Sequence, residues 1–118
     1  MMIAARFMSS LTEFVRPTES VRTADRIMAR NGAQALPVVT EDGRLAGLIH
    51  REAAAAAKQN AAVDGFMSKR VICCRPSDTI ESVIATFNSC QIDVLVVTDD
   101  DGAFRGVLSA QDAWCRRN

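Results

Sequence analysis

Residues 36–49 read Leu36-Pro37-Val38-Val39-Thr40-Glu41-Asp42-Gly43-Arg44-Leu45-Ala46-Gly47-Leu48-Ile49. An unbroken apolar run, an acidic turn ending in glycine and a second apolar run predict a β-hairpin. The first run has no polar alternation, which is typical of a strand covered on both faces. The same order returns at residues 94–108, where the two runs flank Asp99-Asp100-Asp101-Gly102. The chain of 118 residues therefore contains one hairpin twice.

The repetition extends over nearly the whole chain. We call the spacing in sequence between matching residues, such as Phe7 and Phe66, the repeat offset. At this offset Phe7-Met8-Ser9 falls on Phe66-Met67-Ser68, and Arg16-Pro17 falls on Arg75-Pro76. We expect one register slip between the copies. The strand from Leu36 to Thr40 matches residues 95–98 at a spacing one residue shorter than the repeat offset, and an extra aspartate before Gly102 restores the offset. Internal repetition indicates that each copy is one structural unit. We place the first repeat at residues 6–62 and the second at residues 63–118.

Each copy predicts the element order β-α-β-β-α. A short extended piece (13–15 and 71–74) runs into a proline, which fixes φ and disfavours helix in the residue before it. The following helix has one apolar stripe and, in the first copy, ends at Asn31-Gly32. A last helix follows each hairpin, and residues 53–57, all alanine, are the strongest helix former. That alanine run is either a plain linking helix or a close-packed dimer surface. The predicted fold class is α/β.

Composition excludes several classes of function. Fourteen basic and fourteen acidic residues balance, which argues against a nucleic-acid partner bound through its phosphates. No apolar run approaches ~18 residues and no secretion signal is present, so we expect a cytoplasmic protein without a membrane span. His50 is the only histidine, and without a paired nucleophile and base we expect no enzyme. We also expect no metal site, because no Cys-x-x-Cys occurs among Cys73, Cys74, Cys90 and Cys115.

The doubled β-α-β-β-α unit, with Pro-Val-Val-x-Glu-Asp-Gly-x-Leu-x-Gly in its hairpin, resembles the cystathionine-β-synthase (CBS) domain family. The run from Gly106 to Asp112 is similar to the family's Gly-hydrophobic-hydrophobic-(Ser/Thr)-x-x-Asp nucleotide signature. The resemblance implies a stand-alone tandem pair (Bateman module) with pseudo-twofold symmetry, packed sheets flanked by helices and two clefts between the copies. It further implies a regulatory module that senses an adenosine-type ligand (AMP, ADP, ATP or S-adenosylmethionine). Such modules frequently form homodimers, and this one would act on a separate, unknown effector protein.

The resemblance also implies a set of nucleotide-binding residues. Asp112 and Ser109 are the candidates for the ribose, because a carboxylate accepts two hydroxyl hydrogen bonds and a serine hydroxyl can donate or accept. Lys69 and Arg70 are candidate phosphate partners, with Arg105 and Arg51 behind them. The extended segment before the second-copy helix would supply an apolar slot and backbone partners for adenine, through Ile72, Cys73, Cys74, Arg75 and Pro76.

The first copy is less well equipped. At the repeat offset, His50 stands for Ser109 and Ala53 for Asp112. His50 is either a partner for a phosphate or a base edge, or a structural histidine beside an apolar strand. Alanine cannot hold a ribose, so we expect at most one adenosine-type site per chain.

Three alternatives remain open from the sequence. Ser109 and Asp112 have the spacing of a helix capping box, which would explain both residues without a ligand. The module could instead be ligand-free and serve only in dimerisation or protein interaction. The adjacent Cys73 and Cys74 could be a redox pair rather than small buried side chains.

Overall fold

The computed structural model describes residues 3–6, 8 and 13–110. They form a mixed α/β structure. Its elements follow the predicted order, except that residues 13–15 make only an isolated bridge, from Val15 to Val38, and not a strand. The predicted last helix of the second repeat lies outside the described residues. The described residues divide into two compact units. Residues 13–71 form the first-repeat unit, and residues 72–110 with residues 3–6 and 8 form the second-repeat unit. The helices and strands are α1 (Val21–Asn31), β1 (Ala35–Val39), β2 (Leu45–His50), α2 (Arg51–Ala56), β3 (Cys73–Cys74), α3 (Ile80–Cys90), β4 (Val94–Thr98) and β5 (Phe104–Ser109).

Both predicted hairpins are present, and they share one hydrogen-bonding pattern. β1 pairs antiparallel with β2, and β4 pairs antiparallel with β5. The turn bond from the Thr40 N–H to the Arg44 carbonyl (2.8 Å) returns at the repeat offset, from Asp99 to Ala103 (3.1 Å). The register slip expected before Gly102 is therefore wrong. The backbone pairing shows which residues of the two hairpins are equivalent, and these pairs keep the repeat offset throughout. The similar valine and threonine side chains of β1 and β4 suggested a match one residue earlier, but they are not equivalent in the structure.

The first helix of each repeat is capped at both ends by equivalent residues. The side chains of Ser20 and Thr79 accept a hydrogen bond from a backbone N–H in the first turn of α1 and α3, both at 3.2 Å. The predicted stop at Asn31-Gly32 is confirmed, and Gly32 takes the left-handed conformation with φ of 68°. The second repeat places Gln91 in the same conformation (φ 53°). For a residue with a Cβ, this conformation costs about 1 kcal/mol.

Each unit has its own apolar core. Four successive residues of β1 are buried, and so are four of β4, which confirms that these strands are covered on both faces. The core of the first-repeat unit contains Val15, Val21, Ala24, Met28, Leu36, Val38, Ile49, Ala54 and Val63. The core of the second-repeat unit contains Ala4, Cys74, Ile80, Val83, Ile84, Phe87, Leu95, Val97 and Leu108.

The segment just ahead of the first repeat and the segment that opens the second repeat each pack with the other repeat. The Ala4 N–H donates to the Asp78 carbonyl at 2.7 Å, so the segment ahead of the first repeat packs in the second-repeat unit. The Val63 N–H donates to the Glu19 carbonyl at 2.8 Å, so the start of the second repeat packs in the first-repeat unit. The two bonds are related by the repeat offset. The boundaries of the packing units therefore differ from those of the sequence repeats.

Candidate functional site

The segment 71–74 enters the second-repeat unit as the edge strand of a three-stranded sheet. The sheet has the order β3-β4-β5, and Cys73 of β3 pairs in parallel with Val96 of β4. Cys74 is buried in the core, whereas Cys73 is exposed and Ile72 keeps 39 % of its surface exposed. An edge strand can offer backbone groups on its outer side to another molecule. This segment therefore combines apolar surface with backbone hydrogen-bonding groups.

Ser109 lies at the same end of this sheet as Ile72. It is the last residue of β5 and stands opposite Val94 in the antiparallel ladder. Val94 comes two residues before Val96, the partner of Cys73. Ser109 therefore lies at the end of the sheet where β3 and β4 begin. The sheet thus brings the predicted ribose contact, which is half-buried, to the same end as a predicted adenine contact.

Arg75 and Pro76 lie toward the opposite end of the sheet. They follow Cys74, whose partner in β4 comes just before the β4–β5 turn. Measured along the strand direction, the position of Arg75 in the sheet is four residues away from that of Ser109, which corresponds to about 13 Å. The Arg75 Nη1 donates to the Asp100 Oδ1 at 2.7 Å, and both side chains are largely exposed. The structure therefore does not bring Arg75 together with Ser109.

Asp112, the predicted ribose carboxylate, lies outside the described residues. The last described residue, Ala110, directly follows β5, and its N–H donates to the Asp93 carbonyl at 2.8 Å. The equivalent bond in the first-repeat unit, from the Arg51 N–H to the Gln34 carbonyl (2.8 Å), lies at the start of α2. The helix predicted after β5 stays a prediction. The ribose contact and the capping box both stay predictions.

The predicted phosphate partners Lys69 and Arg70 are exposed on the first-repeat unit. They directly follow Ser68, which exchanges two backbone hydrogen bonds with Leu48 of β2, at 2.9 and 2.8 Å. His50 ends β2 at the N-cap position of α2, where its side chain makes no capping hydrogen bond. It is exposed, so it is not a core histidine. Its role toward a phosphate or a base stays a prediction.

Cys73 and Cys74 occupy opposite sides of β3, because successive side chains of a strand alternate and only Cys74 is buried. Burial, together with the nearby charge of Asp78 and the neighbouring Cys73, raises the pKa of Cys74 to about 12. Burial also raises the pKa of Cys73, although a hydrogen bond with Thr98 opposes that shift. The thiolate is the reactive form of cysteine. Burial therefore disfavours the thiolate form of both cysteines, and the redox pair stays an untested alternative.

Arg16 has a structural role that its sequence pattern did not reveal. Its Nη1 donates to the carbonyls of Val39, at 3.2 Å, and Thr40. Its guanidinium carbon lies 5.0 Å from the centre of the Phe14 ring. The first-repeat unit thus ties its arginine to the end of β1, whereas the equivalent Arg75 reaches an exposed carboxylate. The repeated Arg-Pro pair marks both arginines in the sequence. Only their contacts in the structure show that the two side chains have different partners.

Two features were not found within residues 3–6, 8 and 13–110. No three His, Cys, Asp or Glu side chains are grouped there so that they could hold a metal ion. No helix in those ranges has the length and apolar content needed to cross a bilayer.

Two curated relatives match this chain over a region of similar size. The chain is 30 % identical over 101 residues to an inosine-5′-monophosphate dehydrogenase from Yersinia pestis, a match that covers 83 % of this chain and 21 % of that protein. It is 30 % identical over 95 residues to a homoserine O-acetyltransferase from Methanosalsum zhilinae, covering 79 % and 19 %. The chain therefore spans about a fifth of the length of these relatives. The matched region is shared by two differently named enzymes.

Solved structures show the same fold over nearly the whole chain. The CBS domains of a transcriptional regulator from Streptococcus pneumoniae give a TM-score of 0.91 at 16 % identity, covering 97 % of this chain and 98 % of that one. CBSX2 in complex with AMP gives 0.90 at 19 % identity, covering 99 % and 96 %. A CBS domain pair in complex with 5′-methylthioadenosine and S-adenosyl-L-methionine gives 0.83 at 20 % identity, also covering 99 % and 96 %.

The sequence itself matches the CBS domain family model twice. The matched residues are 4–59 and 63–113, which together make up most of the chain. Both matches coincide with the repeated hairpin and capped helix described above. The chain therefore belongs to the CBS domain family and carries two CBS domains in tandem.

Proposed function

We propose that this CBS pair is a regulatory module that senses an adenosine-type ligand, either AMP, ADP, ATP or S-adenosylmethionine, and acts on a separate partner protein. The observation that carries the proposal is the sheet order β3-β4-β5, in which β4 lies between the segment that contains Ile72 and the strand that ends at Ser109. The solved relatives that hold AMP, or 5′-methylthioadenosine and S-adenosyl-L-methionine, support this class of ligand.

Each part of such a ligand has a candidate partner. The exposed Ile72 side chain and the outer backbone of the β3 segment suit adenine, which is flat, apolar on its faces and polar at its edge. The Ser109 hydroxyl suits a ribose hydroxyl, and Asp112, three residues further along, would accept hydrogen bonds from both ribose hydroxyls. Lys69 and Arg70 are the exposed cations that we propose for a phosphate.

The affinity expected for such a site is modest. A ligand the size of AMP, at about 0.3 kcal/mol per heavy atom, binds with roughly 7 kcal/mol, which corresponds to a micromolar Kd. Hydrogen bonds to a charged group contribute about 1.5–3 kcal/mol, so loss of the Asp112 carboxylate weakens binding on the order of tenfold to more than a hundredfold.

Calorimetric titration of the four adenosine-type ligands tests the proposal. We expect Asp112→Ala to remove measurable binding while the protein still folds. The matched control is Asp101→Ala, which removes an exposed carboxylate from the β4–β5 turn of the same unit and should leave the affinity unchanged. Ser109→Ala should weaken binding less than Asp112→Ala does, because it removes one uncharged hydrogen bond. An unchanged affinity in Asp112→Ala would show that the ribose assignment is wrong.

The second candidate is a ligand-free module for dimerisation or protein interaction. The presence of His50 and Ala53 at the positions of Ser109 and Asp112 favours it, since the first repeat lacks the ribose carboxylate. A thermal-shift screen separates the two, because a ligand that prefers the native state raises its melting temperature. No shift with any of the four ligands at concentrations far above a micromolar Kd would favour the interaction module. A non-catalytic role, a homodimeric state and a cytoplasmic location are part of the same proposal.

A further inference from the structure

Helix α1 of the first-repeat unit presents a row of arginines on its outer side. Arg22, Arg26 and Arg30 are exposed and follow one another at intervals of four residues. Four helical residues rise by about 6 Å, so the three charged groups lie on neighbouring turns over about 12 Å. The opposite side of the helix is already buried in the core, through Val21, Ala24 and Met28. We call the three arginines the α1 arginine row.

The local energetics of the helix explain Arg30, which pairs with Glu13 and lies in the last turn, where a cation is favoured by the helix dipole. They do not explain Arg22 or Arg26. Like charges four residues apart repel each other, and a cation in the first turn of a helix, such as Arg22, opposes the helix dipole. The first turn of α1 contains no acidic residue. Over the described residues the ion pairs are Arg30 with Glu13 and Arg75 with Asp100, so Arg22 and Arg26 have none within that part of the chain.

The equivalent helix of the second repeat lacks this feature. At the repeat offset, α3 carries Glu81, Ala85 and Ser89 in place of the α1 arginine row. Both helices otherwise share length, caps and a buried apolar side. The fold that the two repeats share therefore does not require the arginines.

We propose that the α1 arginine row is a docking surface for an acidic helical segment of a partner protein. Carboxylates at intervals of four residues on such a helix repeat at the same spacing of about 6 Å, and each can accept two hydrogen bonds from one guanidinium. A lipid surface fits less well, because the apolar side of α1 is buried in the core. A nucleic acid fits less well, because the chain has no net positive charge.

Fluorescence anisotropy with a labelled synthetic helical peptide tests this surface. The probe carries glutamates at intervals of four residues, and a peptide of the same composition in scrambled order is its control. Arg26→Glu should weaken binding of the probe by about tenfold or more, as expected for loss of a charge-assisted pair. The matched variant Arg44→Glu, a charge reversal on the exposed β1–β2 turn of the same unit, should change it by less than about twofold.

Several outcomes would overturn the proposal. They are no binding of the probe at low ionic strength, equal binding of the scrambled peptide, or equal loss in Arg26→Glu and Arg44→Glu. Tighter binding of a short DNA duplex or of phosphatidylserine vesicles than of the probe would also refute it. Arg22→Gln is a second variant whose melting temperature should not fall, so that its loss of probe binding reports on the surface. Nucleotide titration of the same variants should be unchanged, which keeps this test separate from that of the ligand site.

Discussion

Replacing Gly47 by alanine should destabilise the first-repeat unit by about 2 kcal/mol. A Cβ built on Gly47 lies 2.6 Å from the Ser68 carbonyl oxygen and 2.8 Å from the Met67 sulfur. The Met67 side chain can rotate away. The Ser68 carbonyl cannot, because it belongs to the backbone and accepts a hydrogen bond from the Leu48 N–H at 2.9 Å. Overpacking costs about 1–3 kcal/mol, and loss of that hydrogen bond adds about 1 kcal/mol.

Urea unfolding followed by circular dichroism gives the free energy of unfolding of each variant. The matched control is Gly65→Ala, because a Cβ at Gly65 meets no atom within 4 Å, and its effect should stay within about 0.5 kcal/mol. Hydrogen exchange at the amides of Leu48 and Ser68 should accelerate in Gly47→Ala alone. If the free energy of unfolding of Gly47→Ala equalled that of Gly65→Ala, the close approach of residue 68 to β2 would be refuted.

Three further predictions concern stability, pH and stoichiometry. Gln91→Gly should raise the free energy of unfolding by up to about 1 kcal/mol by relieving the left-handed conformation, whereas Gly32→Ala should lower it by about as much, both measured in urea. The pKa of Cys74 is raised to about 12 in the folded protein, so between pH 9.0, the ordinary pKa of the thiol, and pH 12 the unfolded state loses the proton first. The free energy of unfolding is therefore unaffected below pH 9.0 and falls as pH rises toward 12, by at most about 1.4 kcal/mol per pH unit. Cys74→Ala should lack this slope in unfolding titrations, and an identical slope would contradict the assignment. Installing the ribose pair in the first repeat, by His50→Ser with Ala53→Asp, should raise the calorimetric stoichiometry from one adenosine-type ligand per chain toward two; a stoichiometry that stays at one would show that this pair is not sufficient for a site.

Local patterns were enough to predict the secondary structure. The alternation of apolar runs and acidic turns predicted both hairpins, and the stop at Asn31-Gly32 predicted the end of α1. These signals depend on residues a few positions apart, which the sequence states directly. The predicted register slip was wrong because it relied on the similarity of valine and threonine side chains alone. The bulge and the turn hydrogen bonds, which fix the true register, are visible only in the paired backbone.

The sequence supplied a list of candidate site residues but not their arrangement. Ile72 and Ser109 lie toward one end of the sheet because β4 lies between β3 and β5, and this follows once the order of the sheet is known. Arg75 looked equivalent to its neighbours in the sequence. Arg75, however, lies three residues beyond Ile72, or about 10 Å along an extended chain, and its ion pair with Asp100 holds it beside the β4–β5 turn.

The amino-acid sequence by itself determined that this protein is a duplicated chain and that only its second copy carries Ser109 and Asp112, because periodicity, caps and repeats can be read from the order of residues. Tertiary structure alone decided which unit the segments around Ala4 and Val63 join, as their bonds with Asp78 and Glu19 show. It alone decided that Arg16 stabilises the end of a strand while Arg75 does not. Those contacts join residues far apart in the chain, and their energies depend on burial and distances that exist only after the units have folded.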